Sequence, residues 1–180
     1  YDHVKEMAEK DEHLTPDMPE ELKVEFPETD TRVDFDRLNK INEDLLVFAD
    51  GFEPQNKLGK ILEKRREAFA TDKIDWGHAE TLAYATITQD GTPVRFTGQD
   101  AQRGTFSHRH AVLTLEDSEE KYAPLAQVNG GDKFNIYNSL LSEYGVLGFE
   151  YGYALANPQA LTVWEAQFGD FYNGAQIIVD

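Results

Sequence analysis

The sequence predicts an α/β domain, a parallel sheet flanked by helices, with a helical extension in front of it. Composition changes near residue 70: residues 1–70 hold 11 of the 17 Lys and Arg residues but only 2 of the 13 glycines. From Ile74 onward, short β-type runs alternate with longer helical segments. Strands separated by helices favour parallel pairing, since parallel neighbours need a long crossover connection. We therefore divide the chain into residues 1–70 and residues 71–180.

Residues 1–70 have the pattern of acidic helices separated by proline-marked breaks. A charged helix is predicted over residues 2–12, and Asp17 is typical of the cap of a second helix. Apolar residues at helical spacing predict two more helices, at 38–48 and 58–69, with a break around 51–54. The acidic surface of this part is either a solvated face, which is the more ordinary case, or a docking surface. We assign residues 1–70 as a helical, acidic extension or linker.

Residues 71–180 have clearer boundaries between elements. Asp75 can cap a helix that runs through Thr86 and ends at Asp90-Gly91. Strands are predicted at 93–97, 134–137 and 160–164, and the apolar, glycine-bearing segment 144–155 is consistent with a closely packed helix. Parallel sheets bind ligands at the carboxyl ends of their strands. Functional residues are therefore expected directly after each strand.

Composition argues against several classes of function. The net charge of −17 disfavours binding to nucleic acid or to an anionic membrane surface. The absence of cysteine excludes disulfides and thiolate zinc sites and fits a reducing compartment. No apolar run reaches membrane-spanning length. Because the chain does not begin with Met, and Asp180 follows an apolar run, we expect a piece of a longer protein that is truncated at its C-terminus.

The first polar cluster is the loop 98–110, which follows the first predicted strand. It contains Gln99, His108 and His110 together with two Arg and an Asp. The two His could ligate a metal only if the segment were extended, and no third ligand with clear spacing is near. Donors of this kind suit the binding of an anion such as a substrate carboxylate. The alternative is a structural loop in which Asp100 pairs with Arg103 or Arg109, and residue types alone leave both interpretations open.

Two further clusters follow the second and third predicted strands. Glu143 follows a strand and opens an apolar helix, where a carboxylate is ordinarily favoured by the helix N-terminus or belongs to a capping arrangement. Phe168 and Phe171 lie three apart, so helical spacing alone would make them core residues. The functional alternative for either ring is a flat apolar wall against an aromatic ligand.

Three motifs in these clusters resemble the 2-oxoglutarate dehydrogenase family. The resemblance is to its thiamine-diphosphate-dependent component, which decarboxylates the substrate and transfers the succinyl group. They are Gly-Gln-Asp-x-x-Arg-Gly-Thr-Phe-Ser-His-Arg-His at 98–110, Leu-Ser-Glu at 141–143 followed by Gly-Phe-Glu-Tyr-Gly-Tyr, and Trp-Glu-Ala-Gln-Phe-Gly-Asp-Phe-x-Asn-Gly-Ala-Gln at 164–176. The resemblance is dense from about residue 74 to residue 180 and looser before it. It implies a transketolase-like pyrimidine-binding domain over 71–180, in a bacterial cytoplasm or a mitochondrial matrix.

The resemblance also implies roles for particular residues. In such enzymes a glutamate hydrogen-bonds the pyrimidine ring of the cofactor and so promotes loss of the thiazolium proton. Glu143, Glu150 and Glu165 compete for this role, and Glu143 fits best because Gly145 and a Gly-Phe pair follow at the family's spacing. Leu141, Gln167 and Phe171 are implied to contact the cofactor ring. Gln99, His108 and His110 are implied to bind the oxo acid. His110 is also implied to be catalytic.

The family's Gly-Asp-Gly and Asn motif for magnesium and diphosphate is absent from this sequence. The resemblance therefore implies that magnesium is bound by a domain outside this chain and that the chain alone is inactive. The implied partners are 2-oxoglutarate, a homodimer partner that supplies the diphosphate-binding domain, and a lipoyl-bearing succinyltransferase. Two alternatives stay open: a relative that prefers 2-oxoadipate, and a docking or assembly module without catalysis of its own.

Overall fold

The computed structural model describes residues 28–48, 52, 56–114, 120–128 and 131–180. All the described helices and strands belong to one compact unit, Val33–Asp180. Of the other unit, Tyr1–Arg32, residues 28–32 are described, and there Arg32 binds Asp30 at 2.8 Å. The helices predicted at 2–12 and from Asp17 lie outside the described residues, as does most of the break predicted at 51–54.

The described elements follow the predicted order closely. In chain order they are α1 Phe35–Leu45, α2 Asn56–Thr71, α3 Trp76–Gln89, β1 Val94–Gly98, β2 Leu113–Thr114, β3 Lys121–Tyr122, α4 Pro124–Val128, β4 Phe134–Asn138, α5 Glu143–Ala156, β5 Leu161–Glu165, a 3₁₀ helix Asp170–Ala175, and α6 Gln176–Val179. The cap predicted for α3 is confirmed, because the Asp75 carboxylate accepts a hydrogen bond from His78 N at 2.8 Å. Gly91 ends this segment with a φ of 101°, in the left-handed region that favours glycine.

The predicted parallel sheet flanked by helices is confirmed. Strands β4, β1 and β5 lie side by side in that order, all parallel, with β1 in the centre. Gly98 at the end of β1 is in register with Asn138 of β4 and Glu165 of β5. The three strand ends therefore meet at one edge of the sheet. The small antiparallel pair of β2 and β3 was not predicted, since two residues leave no alternation to detect.

Side chains alternate along β1, so the two faces of the central strand meet different helices. Val94 and Phe96 are buried in a core that also contains Leu82 of α3. Arg95 turns to the other face, where it binds the Glu150 carboxylate of α5 through Nε at 2.7 Å and Nη2 at 2.9 Å. Helices α3 and α5 thus cover opposite faces of the sheet.

Helix α5 is less buried than the sequence suggested. We expected a closely packed helix, but Glu150 is its one buried residue. Phe149, Tyr151 and Leu155 are all more than 60% exposed. The apolar residues that predicted close packing lie on a face that no described part of the chain covers. The expectation of close packing is therefore wrong for this chain.

Helices α1 and α2 join the α/β part through a buried polar contact. Ile41 of α1 shares the core with α3 and β1. The adjacent Asn42 accepts a hydrogen bond from His78 Nε2 at 2.8 Å and donates one to Arg65 O of α2 at 3.0 Å. Burial, aided by the nearby Arg65 charge, lowers the pKa of His78 to about 4. The imidazole is therefore neutral at pH 7, with its one N–H on Nε2, where it donates to the Asn42 amide oxygen.

A buried cation, Arg109, ties the loop after β1 to α3 and β5. Its guanidinium binds Glu80 of α3 through Nε at 2.8 Å and Glu165 of β5 through Nη1 at 2.9 Å. Nη1 also donates to Ala101 O at 2.9 Å, and the group lies 4.5 Å from the centre of the Phe96 ring. The Arg109 side chain is only 3% exposed, and both carboxylates are less than a third exposed. One side chain thus fixes three segments relative to one another.

The energetics of this contact follow from its partners. Burial by itself would lower the pKa of Arg109, but hydrogen bonds to Glu165 and Glu80 outweigh it and raise the pKa. The cation consequently keeps its charge, and both carboxylates keep a counter-charge. Removing the cation would leave two partly buried carboxylates facing each other. Breaking a buried pair from one side costs about 3–5 kcal/mol in stability.

We expect Arg109→Met to lower the free energy of unfolding by about 3 kcal/mol or more, because Glu80 and Glu165 lose their counter-charge. The matched control is Arg103→Met in the same loop, where the ion pair with Asp100 is exposed. Exposed pairs contribute about 0–1 kcal/mol, so this variant should unfold nearly as the parent does. Urea denaturation of the three proteins measures the difference. Equal losses for both variants would contradict the role given to Arg109.

Candidate functional site

The candidate site lies where the three strands end. The residues after β1 begin with Gln99, and those after β4 lead to Glu143 at the start of α5. Gln99 Nε2 donates a hydrogen bond to Glu143 Oε1 at 2.7 Å. Two residues that are 44 positions apart in the sequence are therefore in direct contact at the edge where a parallel sheet binds ligands.

Glu143 is not the helix cap that its position suggested. Ser142 fills that place, since its hydroxyl accepts a hydrogen bond from Gly145 N at 3.3 Å. The Glu143 carboxylate instead lies between Gln99 and the 3₁₀ helix. A Cβ atom added at Gly174 would stand 3.1 Å from Glu143 Oε2, so the absence of a side chain there gives this carboxylate room. Ser142 is therefore the cap, and Glu143 lies in the first turn, where the helix N-terminus favours a carboxylate.

The three glutamates that competed for one role differ in their partners. Glu150 is bound through both carboxylate oxygens by Arg95, and Glu165 is bound through both by Arg109. Glu143 has no cationic partner within the described part of the chain. An arginine fixes the position of a carboxylate and compensates its negative charge. A neutral amide fixes the position and leaves the negative charge uncompensated. This difference favours Glu143 as the reactive group.

Four rings connect the loop after β1 to the segment after β5. Phe106 lies 6.2 Å from His108 and 5.7 Å from Phe168, measured between ring centres. Phe168 lies 6.2 Å from Phe171. This row, named here the aromatic row, joins His108, which the resemblance assigns to the oxo acid, and Phe171, which it assigns to the cofactor ring.

The core interpretation of Phe168 and Phe171 is wrong. The two rings are 53% and 47% exposed, so neither lies in the protein interior. Phe168 also has a φ of 57° and is followed by Gly169 at 77°. A bulky residue in the left-handed region is strained, and such strain clusters at ligand sites. Exposure and strain together favour a surface that receives a ligand.

The loop 99–110 is held rigidly by internal contacts. Asp100 pairs with Arg103, which confirms one half of the structural alternative. Of the two arginines that the sequence offered, Arg103 is therefore the partner, and Arg109 binds Glu80 and Glu165. Gln102 fastens the loop to β4, because its N donates to Asn138 Oδ1 at 2.9 Å and its Nε2 to Ile136 O at 3.1 Å.

The two histidines of the loop are held in different ways. The His108 ring packs against Gly104, where an added Cβ would stand 2.5 Å from it. Its Nδ1 is buried and has no hydrogen-bond partner among the described residues. His110 has a φ of 48°, and its Nε2 donates to Ser107 O at 2.8 Å. Burial lowers the pKa of His110, with the Ser107 hydrogen bond opposing it, so the ring is neutral at pH 7.

The structure brings some of the predicted residues together and leaves others apart. Leu141 is 85% exposed, two positions before Glu143, and Gln167 is partly buried just before Phe168. His110 makes no hydrogen bond to the Gln99–Glu143 pair within the described residues, and its Nε2 donates to Ser107 O instead. It lines a small cavity of about 20 Å³ between the helices, together with Asn42, Arg65 and His78.

The described residues hold neither a metal-binding cluster nor a membrane-spanning helix. None of these residues form a group of three or more His, Asp or Glu placed to hold a metal ion. Of the helices in the described ranges, none is both long enough and apolar enough to cross a membrane.

The sequence analysis identified neither Glu80 as a partner of Arg109 nor the ion pair between Glu165 and Arg109. Glu80 is a mid-helix glutamate, a kind of residue that is usually solvated. One signal was present: Arg109 lies between two histidines in a loop without enough acidic residues to pair both arginines. The shortage of acidic residues in the loop indicates that one arginine pairs with a carboxylate elsewhere in the chain, but it does not identify that carboxylate.

Comparisons with known proteins agree with this geometry. Residues 72–180 match the family model described as the transketolase, pyrimidine binding domain. The chain is 51% identical, over 91% of its length, to the 2-oxoglutarate dehydrogenase E1 component of Geobacillus kaustophilus. It is likewise 51% identical, over 92% of its length, to the protein of that name from Staphylococcus aureus. In both cases it spans only 18% of the relative.

These matches confirm the resemblance that the three sequence motifs indicated. The matched region contains the whole sheet and every residue of the candidate site. The chain belongs to the family of transketolase pyrimidine-binding domains.

Proposed function

We propose that this chain forms the pyrimidine-binding part of a thiamine-diphosphate-dependent 2-oxoglutarate dehydrogenase, within a longer protein that decarboxylates 2-oxoglutarate and transfers the succinyl group to a lipoyl carrier. The observation that carries the proposal is the position of Glu143 and its uncompensated charge. It opens a helix at the strand ends, next to exposed aromatic residues, and no cation neutralises it among the described residues. Two relatives with this name are 51% identical to the chain.

The residues at the strand ends fit the pyrimidine ring of the cofactor. A flat heteroaromatic ring needs an apolar wall and a hydrogen-bonding group at its edge. The half-exposed Phe171 ring supplies the wall, with Leu141 and Gln167 as further contacts, and Glu143 supplies the hydrogen-bonding group. Thiamine diphosphate, when bound, contributes the nucleophilic carbon and the electron sink for decarboxylation.

Glu143 acts through its charge. A carboxylate at a ring nitrogen accepts a hydrogen bond from that nitrogen and stabilises the protonated form. The Glu143 position suits this task, because the start of a helix favours a negative charge without removing it. Gln99 occupies Oε1, and Oε2 borders Gly174, where no side chain intervenes.

Gln99, His108 and His110 form the substrate side in this proposal. Imidazole and amide groups can donate hydrogen bonds to carboxylate oxygens such as those of an oxo acid. The buried His108 Nδ1 without a partner supports a ligand contact, because buried polar atoms are normally satisfied. His110 has a catalytic part in this proposal; its Nε2 donates to Ser107 O, and the residue lines the cavity between the helices.

A partner surface completes the proposal. Most exposed large apolar residues lie between β4 and α6, a concentration that marks an interaction surface. From the residues after β4 through α6 they are Leu140, Leu141, Tyr144, Phe149, Tyr151, Leu155, Leu161, Phe168, Phe171, Tyr172, Ile177 and Val179. We propose that a magnesium- and diphosphate-binding domain of a homodimer partner covers this surface. Residues 1–70 would be the extension, and the succinyltransferase the partner that accepts the product.

We expect Glu143→Gln in the full-length protein to slow decarboxylation by about 10²–10⁴-fold, since the amide keeps the shape but not the charge. Exchange of the thiazolium proton with deuterium, followed by NMR without substrate, should slow with it. The control is Glu150→Gln, which alters a glutamate of the same helix that is bound to Arg95. It should reduce stability and leave the exchange rate nearly unchanged. Slow exchange in Glu150→Gln and normal exchange in Glu143→Gln would overturn the assignment.

We expect Phe171→Ala to weaken cofactor binding by about 1–3 kcal/mol through lost stacking and burial. Phe171→Tyr keeps the ring and should bind normally. The matched control is Tyr172→Ala, which removes a neighbouring ring of similar exposure. Calorimetric titration with thiamine diphosphate and magnesium gives the three affinities. Unchanged affinity in a well-folded Phe171→Ala variant would show that the ring stacks elsewhere.

A further inference from the structure

The backbone on either side of Gln99 is fixed. Gly98 packs so closely on β5 that an added Cβ would stand 2.7 Å from Glu165 O. Asp100, on the other side, is held in the left-handed region at a φ of 54° and pairs with Arg103. Gln99 is partly buried between these points, and its Nε2 reaches Glu143 Oε1. Its side chain is therefore held in a defined direction.

The type of donor distinguishes Glu143 from its neighbours. Glu150 and Glu165 are each bound by an arginine, which fixes the carboxylate and also neutralises it. Gln99 fixes the carboxylate with a neutral amide. A neutral donor orients a carboxylate at one oxygen and leaves the net negative charge in place. This is the combination that a group acting on a ring nitrogen requires.

We infer that Gln99 is a positioning residue for Glu143: its amide holds Oε1 so that Oε2 faces the pyrimidine nitrogen. The inference rests on the proposed function, and it extends the role of Gln99 beyond substrate binding. An amide has a second N–H and a carbonyl oxygen, so the same group can still contact the oxo acid. Gln99 would then connect the substrate side to the carboxylate that starts the chemistry.

The test uses the full-length protein loaded with thiamine diphosphate and magnesium, and it measures thiazolium proton exchange without substrate. Gln99→Leu keeps the size of the side chain but loses the donor, so exchange should slow roughly tenfold. A residue that only binds the oxo acid would change KM and leave this rate alone. The matched control is Gln102→Leu, three positions on, whose amide binds Ile136 O of β4 and not Glu143. Its exchange rate should stay within about twofold of the parent, since it loses a neutral hydrogen bond away from Glu143.

A second variant gives a readout that loop damage would not produce. Gln99→Glu places a carboxylate beside Glu143, and two like charges at this distance cannot both ionise easily. The acid limb of the exchange profile should therefore move up by about one pH unit or more. The pH at which the calorimetric affinity for thiamine diphosphate falls should move in the same direction.

The outcomes separate this inference from the proposed function. Slow exchange in Gln99→Leu, normal exchange in Gln102→Leu and shifted profiles in Gln99→Glu support the positioning role. Normal exchange in Gln99→Leu, or equal slowing in Gln102→Leu, overturns it while Glu143→Gln remains slow. Normal exchange in Glu143→Gln as well would instead overturn the proposed function.

Discussion

The buried Arg109 cation is the contact on which the geometry of the site depends. It joins the loop after β1 to Glu80 of α3 and to Glu165 at the end of β5. His108 and His110 directly precede and follow Arg109 in the chain. Gln167 lies two positions after Glu165, the partner of Arg109 on β5. A shift of Arg109 would therefore displace the predicted substrate loop and the predicted ring contacts together. Since interiors are densely packed, such a shift is not absorbed locally.

Arginine contacts also divide the acidic residues into two kinds. Arg95 and Arg109 commit Glu150 and Glu165 to holding helices and strands in place. Glu143 is left to a neutral amide, at the point where β1, β4 and the 3₁₀ helix converge. A protein with a net charge of −17 has many carboxylates, and the scarcity of cations makes their placement informative. Glu150 and Glu165 are bound by arginines, whereas Glu143 has no arginine partner among the described residues.

The sequence predicted the longer helices and the three strands of the parallel sheet because each of these elements carries a local signal. Asp75 and Gly91 are recognisable as a cap and a stop, and strand runs such as 134–137 end in polar residues. The sequence could not predict contacts that depend on tertiary structure. The Gln99–Glu143 hydrogen bond spans 44 positions, and no spacing rule reaches so far. The exposure of Phe168 and of the α5 face also escaped prediction, since an apolar pattern marks a surface to be covered without naming what covers it.

The central claim is that Glu143, held by Gln99, is the carboxylate that meets the cofactor ring. A crystal structure of the full-length protein with thiamine diphosphate and magnesium tests it most directly. The account predicts a carboxylate oxygen of Glu143 within about 2.6–3.2 Å of a pyrimidine nitrogen. It also predicts that Gln99 still donates to the other oxygen and that Arg109 still holds Glu165. A ring nitrogen bound instead by Glu165 or Glu150, released from its arginine, would contradict the account.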